Sequence, residues 1–319
     1  MADSYDCVIV GAGHNGLVCA ADLADAGWSV LVLERRDTVG GACVTEETWP
    51  GFHVSTASYV VSLLLPEIER DLDLARHGYK VLPRNPSSFT PTDDGRWLML
   101  GSDSDANRKE IAKFSQADAE AFPRYEDLLR RIAERLEPVL TQTAPNLLPL
   151  PSSWRPQGIL SRIRDARSAW SLHQALGELG EDLPEAIELL TGAARPILDR
   201  WFESDVLKST LATDAIIGTF QPISAPGTGY VLLHHVMGSA GGARGVWGYV
   251  EGGMGGLSNA LAAAAIERGV EIRTGCTVET IQTHGDTVSG VLVDGTPIAA
   301  QRVASNIDAQ QTFRRLVAQ

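Results

Sequence analysis

The segment that most constrains this chain is Gly11-Ala12-Gly13-His14-Asn15-Gly16. It follows an apolar run, Cys7-Val8-Ile9-Val10, and opens a helical pattern over residues 15–26 that Gly27 closes. A short apolar run ending at glycine reads as a buried parallel strand. A glycine just past a helix reads as its stop. Val30-Leu31-Val32-Leu33 is a second buried strand, so the opening is a β-α-β unit with glycines at its first turn. Gly11 permits the tight turn, Gly13 lets backbone N–H groups approach a pyrophosphate, and Gly16 lets the helix lie against the strand. The helix start, at His14 and Asn15, supplies partial positive charge for phosphates. The motif alone is weak, and a turn used only for packing is the alternative. Its context is stronger: Glu34 closes the second strand 18 residues after Gly16, where a carboxylate accepts hydrogen bonds from ribose hydroxyls.

Composition narrows the function classes. The 319 residues suffice for about two domains of roughly 150 each. With 44% hydrophobic and 21% charged residues, the chain is neither collagen, coiled coil nor wholly disordered. Its 27 basic and 40 acidic residues give a net charge of −13. That field repels nucleic-acid phosphates and anionic lipid, so no nucleic-acid partner is expected. Four cysteines, at 7, 19, 43 and 276, show no C-x-x-C spacing and no neighbouring histidine cluster. No metal site or disulfide framework is expected, and a reducing compartment fits. The first basic residue is Arg35, so the N-terminus lacks the charge pattern of a secretory or mitochondrial leader. A cytoplasmic location is the expectation. No apolar run approaches the roughly 18 residues of a membrane span.

Further along, Phe122, Tyr125, Leu129, Ile132, Leu136 and Val139 form one helical stripe, with Ser115 as its N-cap. Pro145, Pro149, Pro151 and Pro156 crowd a stretch that reads as a loop or hinge. Helix is expected again over 159–176 and 184–217. Residues 257–268 form an Ala-rich helix stopped by Gly269, and residues 270–273 a strand. Strands at 278–282, 288–293 and 298–305, separated by His284-Gly285-Asp286 and Asp294-Gly295, form an antiparallel meander. The layout predicts one discontinuous α/β domain with a mainly helical insert.

The type of dinucleotide turns on charge. Arg35 and Arg36 would suit a 2′-phosphate, but Glu34 repels one, which argues against NADP. Gly40-Gly41, six residues beyond Glu34, lets backbone lie against a cofactor; an ordinary loop turn is the alternative. His234-His235 looks like a catalytic or metal pair, but adjacent residues diverge on a strand or a helix, and a structural role is preferred. Cys43 reads as a small packing residue.

The run Glu34-Arg35-Arg36 through Gly40-Gly41-Ala42 resembles the flavoprotein family that holds amine oxidases and carotenoid (phytoene) desaturases. Thr45-Glu46-Glu47, Pro50-Gly51-Phe52, Ala57-Ser58-Tyr59, Arg84-Asn85-Pro86, Trp201-Phe202-Glu203-Ser204, Ala212-Thr213-Asp214-Ala215, His234-His235 and Gly252-Gly253-Met254-Gly255 extend the likeness over nearly the whole chain. They point to its phytoene-desaturase-like subgroup of pyridine nucleotide-disulphide oxidoreductase domain-containing proteins. The resemblance implies a Rossmann-type FAD-binding domain with a β-meander, over 1–83 and 245–319, and a helical substrate domain over 84–244. It implies FAD as cofactor, held by Gly11, Gly13, His14, Asn15, Gly16, Glu34, Arg35, Gly40, Gly41 and Ala42, with the Val278 backbone at the adenine. His53, Ser55 and Ser58 would approach the flavin ring, and the 252–256 glycines would lie near the active site.

The implied reaction is hydride transfer from a small, apolar or amine-type substrate to flavin, with the helical insert roofing an apolar channel. No catalytic base is assigned, and the electron acceptor and oligomeric state stay open. Two departures stand beside this. Position 48 is Thr48, so Cys43 lacks a C-x-x-x-x-C partner for a dithiol relay. Family members also continue further, with another glycine-rich segment at the flavin end, so a fragment is expected. The resemblance allows a mitochondrial location in animals. A non-catalytic Rossmann-type regulatory or binding protein, a fragment unable to hold FAD alone, and an NAD-dependent dehydrogenase are the rival readings.

Overall fold

A computed structural model describes residues 4–145, 159–240, 243–244 and 246–317. The chain forms two compact units, Met1–Pro83 with Trp247–Gln319, and Arg84–Val246.

The first unit opens with β1 (Ser4–Val10), α1 (His14–Asp25) and β2 (Val30–Leu33). A hairpin, β3 (Thr45–Trp49) and β4 (Phe52–Ser55), follows, then α2 (Pro66–Asp71) and β5 (Val81–Pro83). The second unit holds the β6 (Ser88–Pro91) and β7 (Trp97–Leu100) hairpin and helices α3 (Ser104–Ala112), α4 (Gln116–Leu140), α5 (Ile159–Glu178), α6 (Leu183–Thr191), α7 (Ala194–Trp201), α8 (Asp205–Ala212) and α9 (Thr228–Met237). The short pair β8 (Ser239–Ala240) and β9 (Ala243–Arg244) ends it. The chain returns to the first unit through β10 (Gly248–Val250), α10 (Met254–Glu267), β11 (Glu271–Arg273) and the meander β12 (Val278–His284), β13 (Thr287–Val293) and β14 (Thr296–Ser305).

The main sheet of the first unit has the order β11-β2-β1-β14-β13-β12. β1, β2 and β11 run parallel. β14 does two jobs. Its first half pairs antiparallel with β13, and its second half runs parallel beside β1, from Ser4 opposite Ala299 to Val10 opposite Ser305. The switch is pinched at Gly290, whose φ is +153° and whose added Cβ would lie 2.1 Å from the Ile298 carbonyl. Only glycine allows the strands to close there.

Both faces of the sheet are covered, which is why β1 and β2 are apolar without alternation. Cys7, Ile9, Val30 and Val32 face the α1 and α10 side, among Leu17, Ala20, Ala21, Leu257, Ala260, Leu261 and Ala264. Val8, Val10, Leu31 and Leu33 face the meander, among Val278, Ile281, Val291, Val293 and Ile298. Alanines on both helices let them approach closely. Gly27, at φ +84°, ends α1 as the sequence predicts.

In the second unit, Ser115 caps α4 by accepting from the Asp118 N–H at 3.1 Å. The stripe Phe122, Tyr125, Leu129, Ile132 and Leu136 is buried as its spacing predicts, with Val139 half-buried. The single helix expected over 184–217 is broken. Gly192 takes an extended conformation after α6, and Ser204 caps a fresh start at α8. The proline-rich stretch read as a hinge lies, beyond Pro145, outside the described residues. Among the described residues no helix is long and apolar enough to cross a membrane.

Candidate dinucleotide site

The first β-α turn and the loop after β2 are built against one another. Gly11 adopts φ +97° and its N–H donates to the Leu33 carbonyl at 2.8 Å. Gly40, at φ +119°, donates its N–H to the Ala12 carbonyl at 2.8 Å. A Cβ added at Gly41 would sit 3.2 Å from the Gly13 Cα. The glycine turn and the glycine pair therefore meet backbone to backbone, and a side chain at Gly41 would drive them apart. Ala42, next in the loop, is exposed and accepts from the Ser58 N–H at 3.0 Å.

Glu34 locks this arrangement. Its side chain is 8% exposed. One carboxylate oxygen accepts from the Ala12 N–H at 2.9 Å, the other from the Arg36 N–H at 3.0 Å. The sequence reading gave Glu34 only a ribose; the structure adds a second task, tying the glycine turn to the end of β2. The two are compatible, because each carboxylate oxygen keeps a further lone pair.

Gly13 is the N-cap of α1 and has no side chain to accept from the first turn. The leading N–H groups are left for an anion, the arrangement that suits a pyrophosphate. Asn15 is exposed at this end and His14 half-buried. Burial lowers the His14 pKa below the usual imidazole range, so near neutral pH its imidazole is uncharged. Its Nδ1 lies 3.5 Å from the Cys43 Sγ. Burial pushes the Cys43 thiol up, which keeps it protonated and suits the packing role.

Arg35 is exposed. Arg36 is ion-paired with Glu46, which also accepts from the Thr56 hydroxyl at 2.6 Å. Val278 is buried with Val8, Val10, Leu31 and Leu33, so only its backbone is available to a ligand. His53 is exposed on β4. The 252–256 glycines open α10, but the N–H groups of Met254 and Gly255 are already taken, at 3.0 Å by the Ser55 hydroxyl and at 2.9 Å by that of Thr45. His234 and His235 lie on α9, where His235 Nδ1 donates to the Val231 carbonyl at 2.8 Å. Among the described residues no three His, Cys, Asp or Glu side chains cluster as metal ligands.

Two contributors escaped sequence reasoning. Asn306, just past β14, lies under the glycine turn. Its Nδ2 would be 2.8 Å from a Cβ at either Gly13 or Gly16, and it donates to the Gly11 carbonyl at 3.4 Å. Gly16 also abuts the Gly11 carbonyl, 2.4 Å from where its Cβ would be. Ser258, on α10, donates to the Cys43 carbonyl at 2.6 Å. Neither carries a local signal; both depend on how distant elements return to the loop.

A turn that leaves helix N–H groups free, a glycine pair in contact with it, and a buried carboxylate with spare lone pairs together fit an adenosine dinucleotide. Comparisons with known proteins give the family. The profile of the flavin-containing amine oxidoreductases matches residues 16–313. Pyridine nucleotide-disulfide oxidoreductase domain-containing protein 2 of Rattus norvegicus is 45% identical over 99% of this chain and 55% of its own length. Hydroxyneurosporene desaturase of Cereibacter sphaeroides is 30% identical over 94% of this chain and 56% of its own. The chain thus spans little more than half the length of these relatives. Among solved structures, a redesigned putrescine oxidase superposes with TM-score 0.61 at 19% identity, over 98% of this chain and 60% of that one. Cyclohexylamine oxidase from Brevibacterium oxydans gives 0.56 at 17% identity, over 98% and 60%. These two share the fold of this chain, and the match of the family profile along nearly the whole chain places this protein in the flavin-containing amine oxidoreductase family.

Proposed function

We propose that this chain is the FAD-binding part of an oxidoreductase of desaturase type, acting on a small apolar substrate. The observation that carries the reading is the joint between Gly11–Gly13, Gly40–Gly41 and Glu34, which presents free helix N–H groups beside a buried carboxylate. In this reading the α1 N-terminus holds the pyrophosphate and Glu34 holds the adenosine ribose. Gly40, Gly41 and Ala42 keep the loop close, Arg35 flanks the adenosine, and the Val278 backbone lies at the adenine. Arg36 is neutralised by Glu46, which together with Glu34 disfavours the 2′-phosphate of NADP. When bound, flavin accepts a hydride from a substrate C–H or C–N unit. The Arg84–Val246 unit is assigned to the substrate. The apolar substrate class is preferred to amines because the 30% identical relative is named a desaturase, whereas the amine oxidases share the fold at below 25% identity.

The test is the visible spectrum of the purified chain, before and after denaturation and with FAD added. A flavin band that leaves on denaturation as FAD supports the reading. A chain that stays colourless after incubation with FAD overturns it.

A further inference from the structure

We infer that Ser258 is a positioning residue that holds the glycine-pair loop in its dinucleotide-binding shape; this rests on the FAD reading above. Ser258 lies on the buried face of α10 and is 0% exposed. Its hydroxyl donates to the Cys43 carbonyl at 2.6 Å. The loop turns back on itself here, with the Cys43 N–H donating to the Gly40 carbonyl at 2.9 Å. Ser258 therefore grips the turn from outside while that bond closes it from within. The fit is tight: a Cβ at Gly40 would stand 2.8 Å from the Ser258 Oγ and 3.0 Å from its Cβ.

From the turn the contact passes to the phosphate side. Gly40 donates to Ala12 and pairs as a short bridge with Gly13, and Gly41 lies over the Gly13 Cα. Ser258 thus reaches the α1 N-terminus through two backbone steps. The start of α10 is separately fixed, by the Thr45 hydroxyl on Gly255 and the Ser55 hydroxyl on Met254. Ser258 is the hydroxyl that joins this helix to the loop itself. A serine within an Ala-rich buried helix, with its hydroxyl spent on a loop rather than on its own helix, has a reason only if the loop must keep its shape.

The experiment compares Ser258→Ala with Ala260→Gly, which loosens the same helix at another fully buried position whose side chain has no hydrogen bond to give the loop. Three quantities are read on the full chain: thermal midpoint without FAD, amide exchange of Gly40 and Cys43, and FAD affinity by titration. Ser258→Ala is expected to speed exchange at Gly40 and Cys43 and to weaken FAD binding about five- to tenfold, the share of one buried hydrogen bond. Ala260→Gly is expected to lower the midpoint similarly with loop exchange and FAD affinity unchanged. Equal loss of affinity in both variants would reduce Ser258 to a structural serine. Unchanged loop exchange in Ser258→Ala overturns the inference whatever FAD does. If the unaltered chain binds no FAD, the functional reading falls and the binding role of Ser258 with it, and exchange still reports whether Ser258 holds the loop.

Discussion

Glu34→Ala is expected to destabilise the ligand-free chain by about 2–3 kcal/mol and to weaken FAD binding at least roughly tenfold. The two losses have different causes. In the absence of any ligand, Glu34 accepts from the N–H groups of Ala12 and Arg36. Ala12 is 0% exposed, so its N–H is left without a partner and without water once the carboxylate is gone. A buried orphan donor costs about 1–3 kcal/mol. Arg36 is half-exposed, and water can replace its lost acceptor, so it adds less. The ribose effect comes on top, since hydrogen bonds to a charged group are worth about 1.5–3 kcal/mol each. Glu34→Gln should be intermediate in stability: the amide oxygen can still serve Ala12, while the NH2 group faces the Arg36 N–H donor to donor. Denaturant unfolding without FAD, followed by FAD titration, separates the two effects. If ligand-free stability did not change in Glu34→Ala, the tie between the glycine turn and β2 would not contribute as the geometry requires. If only stability changed, the ribose assignment would be wrong.

Glu34 shows what a sequence can and cannot disclose. That a carboxylate belongs at the end of β2 is legible from strand, spacing and charge, because all three are local. That the same carboxylate bonds back to Ala12 is a tertiary fact, settled by how sharply Gly11 turns. The same division runs through the fold. Cys7–Val10 and Val30–Leu33 read as parallel strands because both faces of the sheet are covered, which removes polar residues from the pattern. The meander read well because its turns, at Gly285 and Gly295, take positive φ and glycine marks them. The departure of β14 into the parallel sheet was not legible. It depends on the close approach of β13 and β14 at Gly290, and a lone glycine in a strand does not say which partner comes near.

Residues 45–100 were harder still. The β3–β4 hairpin has no buried side chain, with Trp49 and Phe52 exposed, and alternation of polar and apolar residues fails where neither face is a core face. In β6–β7 only Leu98 and Leu100 reach the core, and Phe89 and Trp97, exposed beside them, blur the alternation. Helical periodicity in contrast located α4 because one side of it is continuously buried. The same signal overran the breaks at Gly192 and Ser204, since α6, α7 and α8 all turn apolar faces to one core and the pattern does not record a change of axis.

The expected loss of FAD binding in Gly13→Val, more than roughly a hundredfold, is the largest effect predicted for the site, but alone it does not say whose space the valine takes. Gly13 has φ −67° and ψ 164°, a conformation open to any residue, so backbone strain is not the reason for glycine. Room is. A Cβ here would meet the Asn306 Nδ2 at 2.8 Å, so that side chain must swing off the Gly11 carbonyl, at a cost at the low end of the about 1–3 kcal/mol of overpacking. The valine would therefore disturb the protein before any cofactor arrived. A double-mutant cycle with Asn306→Ala separates the two occupants. Asn306→Ala alone gives up only a 3.4 Å contact with the Gly11 carbonyl, and should cost little stability and little affinity. In the double variant the side-chain clash is relieved, so the ligand-free chain should recover most of the stability lost in Gly13→Val. FAD binding should stay absent, because the branched side chain still stands at the helix N-terminus where the pyrophosphate must approach. Thermal unfolding and FAD titration of all four proteins give the cycle. Recovery of binding together with stability would mean that Gly13 is glycine on account of Asn306, and that the pyrophosphate does not lie against this turn.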